Sequence, residues 1–242
     1  MPSVLKPVGP HTWARATLLI GVLIGFTLPA VWAQGHEAQS PPATGPSNIR
    51  WQSSLDAFAA ADHIKAPAHG GVVFVGSSSI RMWSDLEVSF EKLPDVIKRG
   101  FGGSQLLDCV ELVDQLVLPY KPRLVVVYAG ENDLAEGASP QQVLARFEAF
   151  VKKIRNSLPE SRIAFISIKP SPLRASMMPA MQEANDLILA FSQKEPQLAF
   201  IDVFSEMLDA NGQPRAELFA GDQLHLNADG YSLWRKVISA RL

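Results

Sequence analysis

The chain has 242 residues, 47% of them hydrophobic, with 22 Lys and Arg against 24 Asp and Glu. A weakly acidic balance with no basic stripe argues against a nucleic-acid binder, and a single cysteine excludes an internal disulfide. Residues 1–33 read as a targeting segment: Lys6, His11 and Arg15 precede the apolar run "ATLLIGVLIGFTLPA", and "VWAQ" offers small residues for cleavage after Ala33. Pro29 interrupts the run, so export with removal is expected rather than a spanning anchor. The expected compartment is periplasmic or extracellular, with no stable membrane insertion once the segment is gone. Without it, 20 basic residues face 24 acidic ones.

The stretch 34–48, "QGHEAQSPPATGPSN", is polar and rich in Pro, Gly and Ser, as in a flexible leader. A single domain is then expected over 49–242, opening with a helix over 49–62, where Ile49, Leu55, Phe58 and Ala59 fall at helical spacing. From there β-like and helical patterns alternate. Strands are predicted at 71–76, 95–101, 123–130, 162–168 and 198–203, several apolar on successive residues, as befits strands covered on both faces. Helices are predicted at 104–118, 140–157, 177–194 and 227–240; Cys109 falls within the first and reads as a buried residue. Alternation of this kind implies an α/β fold, a three-layer α/β/α sandwich with a central five-stranded parallel sheet.

In such a sheet ligands bind beyond the carboxyl ends of the strands, and the unusual polar residues lie there. Gly76-Ser77-Ser78-Ser79 follows the first strand, Gly100-Phe101-Gly102-Gly103-Ser104 the second and Gly130-Glu131-Asn132-Asp133 the third. "GDQLHLNADGY", with Asp222 and His225, follows the fifth. Each block alone has an ordinary explanation as a turn or helix cap, and the glycine loop lacks the third glycine of a dinucleotide fingerprint. Together they supply a serine, a histidine to accept its proton, a carboxylate to hold the imidazole, and oxyanion donors. His63, His69 and His225 show no metal-ligand spacing, so no metal and no cofactor are expected.

The four blocks, in their order, resemble those of the SGNH hydrolases, the GDSL-type esterases and lipases, from about Gly71 to Trp234. "FVGSSSI" is similar to the first block and aligns its serine with Ser78; "RGFGGSQ" to the second, with Gly103 at the oxyanion glycine; "GEND" to the third, with Asn132; "DQLH" to the last, with Asp222 and His225. The resemblance implies a flavodoxin-like strand order 2-1-3-4-5, a catalytic Ser78–His225–Asp222 triad, and an oxyanion hole from Ser78, Gly103 and Asn132. Ser77 stands where the family often has Asp, and Ile80 breaks the Gly-x-Ser-x-Gly elbow of α/β-hydrolases.

The expected activity is hydrolysis of a small-molecule or glycan ester with a small acyl group, since no long apolar lid is evident between Ser104 and Ala199. A thioesterase, lysophospholipase or acyltransferase on the same site, or a catalytically silent extracytoplasmic binding protein, are the alternatives. Arg81, Trp83, Lys169 and Arg174 lie near strand ends and are candidate substrate contacts; Arg81 and Trp83 equally suit packing against the opening helix.

Overall fold

The computed structural model describes residues 47–242. The targeting segment 1–33 and nearly all of the leader lie outside the described residues. Five strands, β1 (Val72–Gly76), β2 (Val96–Gly100), β3 (Leu124–Tyr128), β4 (Arg162–Ile166) and β5 (Leu198–Ile201), pair wholly in parallel in the order β2-β1-β3-β4-β5.

The continuous apolar runs have a direct cause. Val73, Val75, Val125, Val127, Ile163 and Phe165 enter one buried cluster, while Val72, Phe74, Val126, Ala164 and Ile166 enter a second. Successive side chains on a strand point to opposite faces, so a sheet covered on both sides needs apolar residues at every position. The edge strands are less demanding: Val96 and Lys98 of β2 are only partly buried.

Helices supply the outer layers. A short α1 (Ser47–Arg50) leads into α2 (Gln52–Ile64), which lies on the first face and is fastened there by Asp62, bonded to buried Arg99 and, at 2.6 Å, to the Tyr120 hydroxyl. The same face carries α5 (Leu106–Glu111), α6 (Val113–Leu116), α8 (Pro140–Ser157) and α9 (Met178–Ser192). Helix α8 begins at a capping box, with Ser139 Oγ accepting the Gln142 N–H and the Gln142 side chain accepting the Ser139 N–H. The second face carries α3 (Ser78–Arg81), α4 (Leu86–Ser89) and α10 (Ala228–Ser239), and α7 (Glu131–Ala135) follows β3 directly.

The helix predicted over 104–118 starts only at Leu106, because Gln105 is its cap: the Gln105 N–H is taken by the Asp108 carboxylate at 2.8 Å. It is broken at Leu112 into α5 and α6 and ends in a 3₁₀ turn, Leu118–Tyr120, where Pro119 has no N–H to continue an α-helix.

From β1 the chain passes to β2 on one side and then crosses back to β3 on the other. That reversal makes the carboxyl ends of β1 and β3 the switch point, the place where α/β folds of this kind bind ligands.

Candidate active site

Ser78 opens α3 directly beyond β1. The strand ladder runs into the turn: the Ser77 N–H donates to the Tyr128 carbonyl at 3.0 Å, and the Phe101 N–H to the Gly76 carbonyl at 2.9 Å. A Cβ on Gly100 would stand 2.2 Å from the backbone N of Arg81, so α3 can sit on the end of β2 only because position 100 is glycine. Of the three consecutive serines, Ser77 and Ser79 are 3% and 2% exposed, whereas Ser78 is only half-buried. Ser78 is the one that solvent reaches.

Asp222 and His225 come from the loop between β5 and α10. The loop is pinned by the Ala220 N–H on the His225 carbonyl at 2.8 Å. At its far end Asn227 caps α10 by accepting the Gly230 N–H at 3.0 Å. Asp222 Oδ1 accepts the backbone N–H groups of Leu224 and His225, both at 2.9 Å, while Oδ2 lies 2.6 Å from His225 Nδ1. The other ring nitrogen, Nε2, lies 3.0 Å from Ser78 Oγ. Partial burial pushes the Asp222 carboxyl upward, but the His225 ring and the two backbone donors outweigh it and draw its pKa down to about 2. The carboxylate is therefore charged at neutral pH, which fixes the proton of a neutral ring on Nδ1 and leaves Nε2 an acceptor.

The second and third blocks meet each other. Gly103 has φ +76°, a left-handed conformation open to glycine. Asn132 Nδ2 donates to the Ser104 carbonyl at 3.0 Å, so the glycine loop and the start of α7 are tied together. Asp133, fully buried, accepts the Leu106 N–H at 2.9 Å and the Arg146 guanidinium at 2.6 Å; burial raises its pKa, with Arg146 and the Leu106 N–H opposing.

Behind Asn132 lies a charge cluster whose arrangement the sequence did not reveal. Glu131 accepts from Lys169 Nζ at 2.9 and 3.1 Å, from the Tyr128 hydroxyl at 2.7 Å and from Arg174 at 3.2 Å. Burial works against its ionisation, yet Lys169 and Arg174 win and hold the carboxyl below the ordinary range. Lys169 also donates to the Leu224 carbonyl at 2.8 Å, inside the Asp222–His225 loop. A signal was present: an acid directly after β3 and a base directly after the neighbouring β4 are set to meet.

Two of the expected substrate contacts, Lys169 and Trp83, are buried away from any substrate. Lys169 is 1% exposed and spends its donors on Glu131 and Leu224. Trp83, 1% exposed, packs against Phe90, Tyr231 and Trp234 with ring centroids 5.5, 5.1 and 6.1 Å away, in the core beneath α10 rather than against the opening helix. Arg81 is exposed and lies against Gly102 of the glycine loop. Arg174 contacts Glu131 and Asn132. Among the described residues no group of three His, Cys, Asp or Glu is placed to hold a metal ion, and no helix is long and apolar enough to cross a membrane.

A parallel five-stranded α/β sandwich, with serine, histidine and aspartate meeting at the switch point, defines the chain as an α/β hydrolytic enzyme of the SGNH type. The sequence matches the GDSL-like lipase/acylhydrolase family over residues 73–233. A curated relative, the GDSL esterase/lipase CPRD49 of Arabidopsis thaliana, is 30% identical over 195 residues, covering 68% of this chain and 75% of the relative. Among solved structures, a GDSL-like lipase from Bacteroides thetaiotaomicron superposes with a TM-score of 0.64 at 21% identity, covering 77% of this chain and 95% of that one. The lipase/acylhydrolase from Enterococcus faecalis gives 0.58 at 20%, covering 71% and 94%. The chain belongs to the GDSL-like lipase/acylhydrolase family and is an ester-hydrolysing enzyme.

Proposed function

We propose that the enzyme is an exported serine esterase that removes short acyl groups, acetyl above all, from a carbohydrate alcohol. The observation that carries the mechanism is that His225 bonds the accessible serine of "SSS" through Nε2 and a charged Asp222 through Nδ1. In this reading Ser78 Oγ attacks the ester carbonyl while its proton passes to His225 Nε2. The tetrahedral oxyanion is held by the backbone N–H groups of Ser78 and Gly103 and by the Asn132 amide. Collapse expels the alkoxide, which takes the proton from His225 and leaves as alcohol. A water then attacks the acyl-serine, gives its proton to Nε2, and the acid departs with Ser78 restored.

The rim supports a small acyl group. Its exposed large apolar side chains, Met82, Leu107 and Leu173, are single residues on separate elements, and charged Arg81 stands beside the nucleophile turn. Arg81 keeps its role as a contact to the polar alcohol half of the substrate. Export rests on the targeting pattern of residues 1–33 and is checked by the mass of the mature N-terminus.

The test is a panel of p-nitrophenyl acetate, butyrate and decanoate with an O-acetylated sugar, assayed on wild type and Ser78→Ala. Acetyl esters should turn over fastest, and Ser78→Ala should lose at least about a thousandfold in kcat without a change in folding. Preference for decanoate overturns the short-acyl reading. Failure of a fluorophosphonate to label wild type overturns the serine mechanism.

A further inference from the structure

We propose that Arg174 is a positioning residue that locks the Asn132 amide with one N–H directed to the oxyanion, acting through Asn132 and not on the substrate. The inference rests on the hydrolytic reading above. A primary amide at a χ2 rotor has two orientations about 180° apart, and an unassisted asparagine can present either its carbonyl or its NH₂ to a ligand. Here the choice is made from both ends. The Arg174 guanidinium gives two N–H groups to Asn132 Oδ1, at 3.2 and 3.3 Å, and Asn132 Nδ2 gives one of its two N–H groups to the Ser104 carbonyl at 3.0 Å. Flipping the amide would set NH₂ against a guanidinium and carbonyl against carbonyl. The locked orientation leaves the second N–H for an incoming oxygen.

Arg174 is itself fixed. Glu131, the chain neighbour of Asn132, accepts from it at 3.2 Å and is held in turn by Tyr128 and Lys169. One carboxylate between two cations leaves a net positive charge beside the amide, which favours a developing anion. A guanidinium on the amide oxygen also draws electron density from the nitrogen and strengthens the remaining N–H as a donor. Through the Lys169 bond to the Leu224 carbonyl, the same cluster holds the loop that carries His225.

The test is a double-mutant cycle on the full chain with Arg174→Met, Asn132→Ala and both together, using p-nitrophenyl acetate. Arg174→Met should lower kcat about 10- to 100-fold with KM within about twofold, and Asn132→Ala about a hundredfold or more. The double variant should fall no further than Asn132→Ala alone, since Arg174 then has nothing to act through. Arg174→Lys, which keeps the charge and one donor, should recover part of kcat. Multiplicative losses in the double variant, or a loss confined to KM, overturn the proposal in favour of a substrate contact.

An activity-independent readout accompanies the cycle. The Asn132 side-chain NH₂ pair in a ¹H–¹⁵N spectrum, assigned by its disappearance in Asn132→Ala, should move in Arg174→Met while the bulk of the backbone spectrum does not. An unmoved pair overturns the proposal. Should wild type cleave no ester, the hydrolytic reading fails, and the amide signal still decides whether Arg174 holds Asn132.

Discussion

Replacing Asp222 by asparagine exchanges one oxygen for an NH₂ group and tests the site more sharply than removing the side chain. Oδ1 accepts the Leu224 and His225 N–H groups at 2.9 Å, and Oδ2 faces His225 Nδ1 at 2.6 Å. In Asp222→Asn the amide oxygen stays on the two backbone donors. The flipped amide would forfeit both bonds, each worth about 1 kcal/mol, and press donors against donors. The NH₂ group therefore faces Nδ1, which must become an acceptor, and the ring proton moves to Nε2. In that tautomer Nε2 no longer takes the Ser78 proton across their 3.0 Å contact. The expected loss in kcat is about 10⁴-fold, or ~5 kcal/mol of transition-state stabilisation. Thermal stability should barely change, because the Asp222 side chain is 35% exposed and an ion pair there contributes little to folding. Steady-state kinetics on p-nitrophenyl acetate and a melting curve of the same preparation supply both numbers. Turnover within tenfold of wild type would refute the assignment of His225 as the base held by Asp222.

Two further expectations concern groups away from the reacting atoms. Lys169→Met removes the main counter-charge of a buried carboxylate and should destabilise the fold by about 3–5 kcal/mol in urea titration at neutral pH; a loss under about 1 kcal/mol would mean that Arg174 and Tyr128 suffice for Glu131. The pH dependence has a definite sign: Glu131 is held below its ordinary pKa, so its contribution in wild type is present above that ordinary value and is lost as pH falls through the depressed one. The Lys169→Met penalty should accordingly shrink on acidification. Cys109 is buried, and desolvation, aided by Asp133 and Asp108, pushes its thiol well above the usual range. It should resist a disulfide reagent at about pH 8 in the native enzyme and react fully in denaturant; rapid native labelling would contradict the packing of α5.

The parallel sense of the sheet and the gathering of Ser78, Asn132, Asp222 and His225 at one rim were legible because both rest on backbone-level rules, whereas the strand order came only with the family resemblance. Apolar runs without alternation mark strands covered on both faces, and strands linked through helices run parallel, so everything that follows a strand arrives at one rim. Which way a side chain turns once it arrives is a different matter. Arg81 closes α3 while Trp83 lies just past its end, where the chain has left the helix, so the two side chains part company. One faces solvent against Gly102 while the other goes into the aromatic core under α10. Nearness to a strand end could not separate them. The break at Leu112 was equally hidden, since 104–118 keeps a helical spacing of apolar residues through the bend.

Lys169 takes its place from the strand register. A cation just after β4 reads as a substrate contact only while its partner, Glu131, is left out. In the β3–β4 ladder Leu124 lies opposite Arg162 and Val127 opposite Phe165, and Glu131 and Lys169 are separated by the same 38 positions. Two opposite charges that leave neighbouring strands at equal distance are brought side by side by the register itself. In a site lined by buried apolar residues, each is then the cheapest partner for the other. The pair, with Arg174 added from the turn after β4, becomes the fixed ground on which the Asn132 amide and the His225 loop both stand. The register, which sequence pattern leaves open, is what converts Lys169 from a group that greets substrate into one that holds the machinery in place.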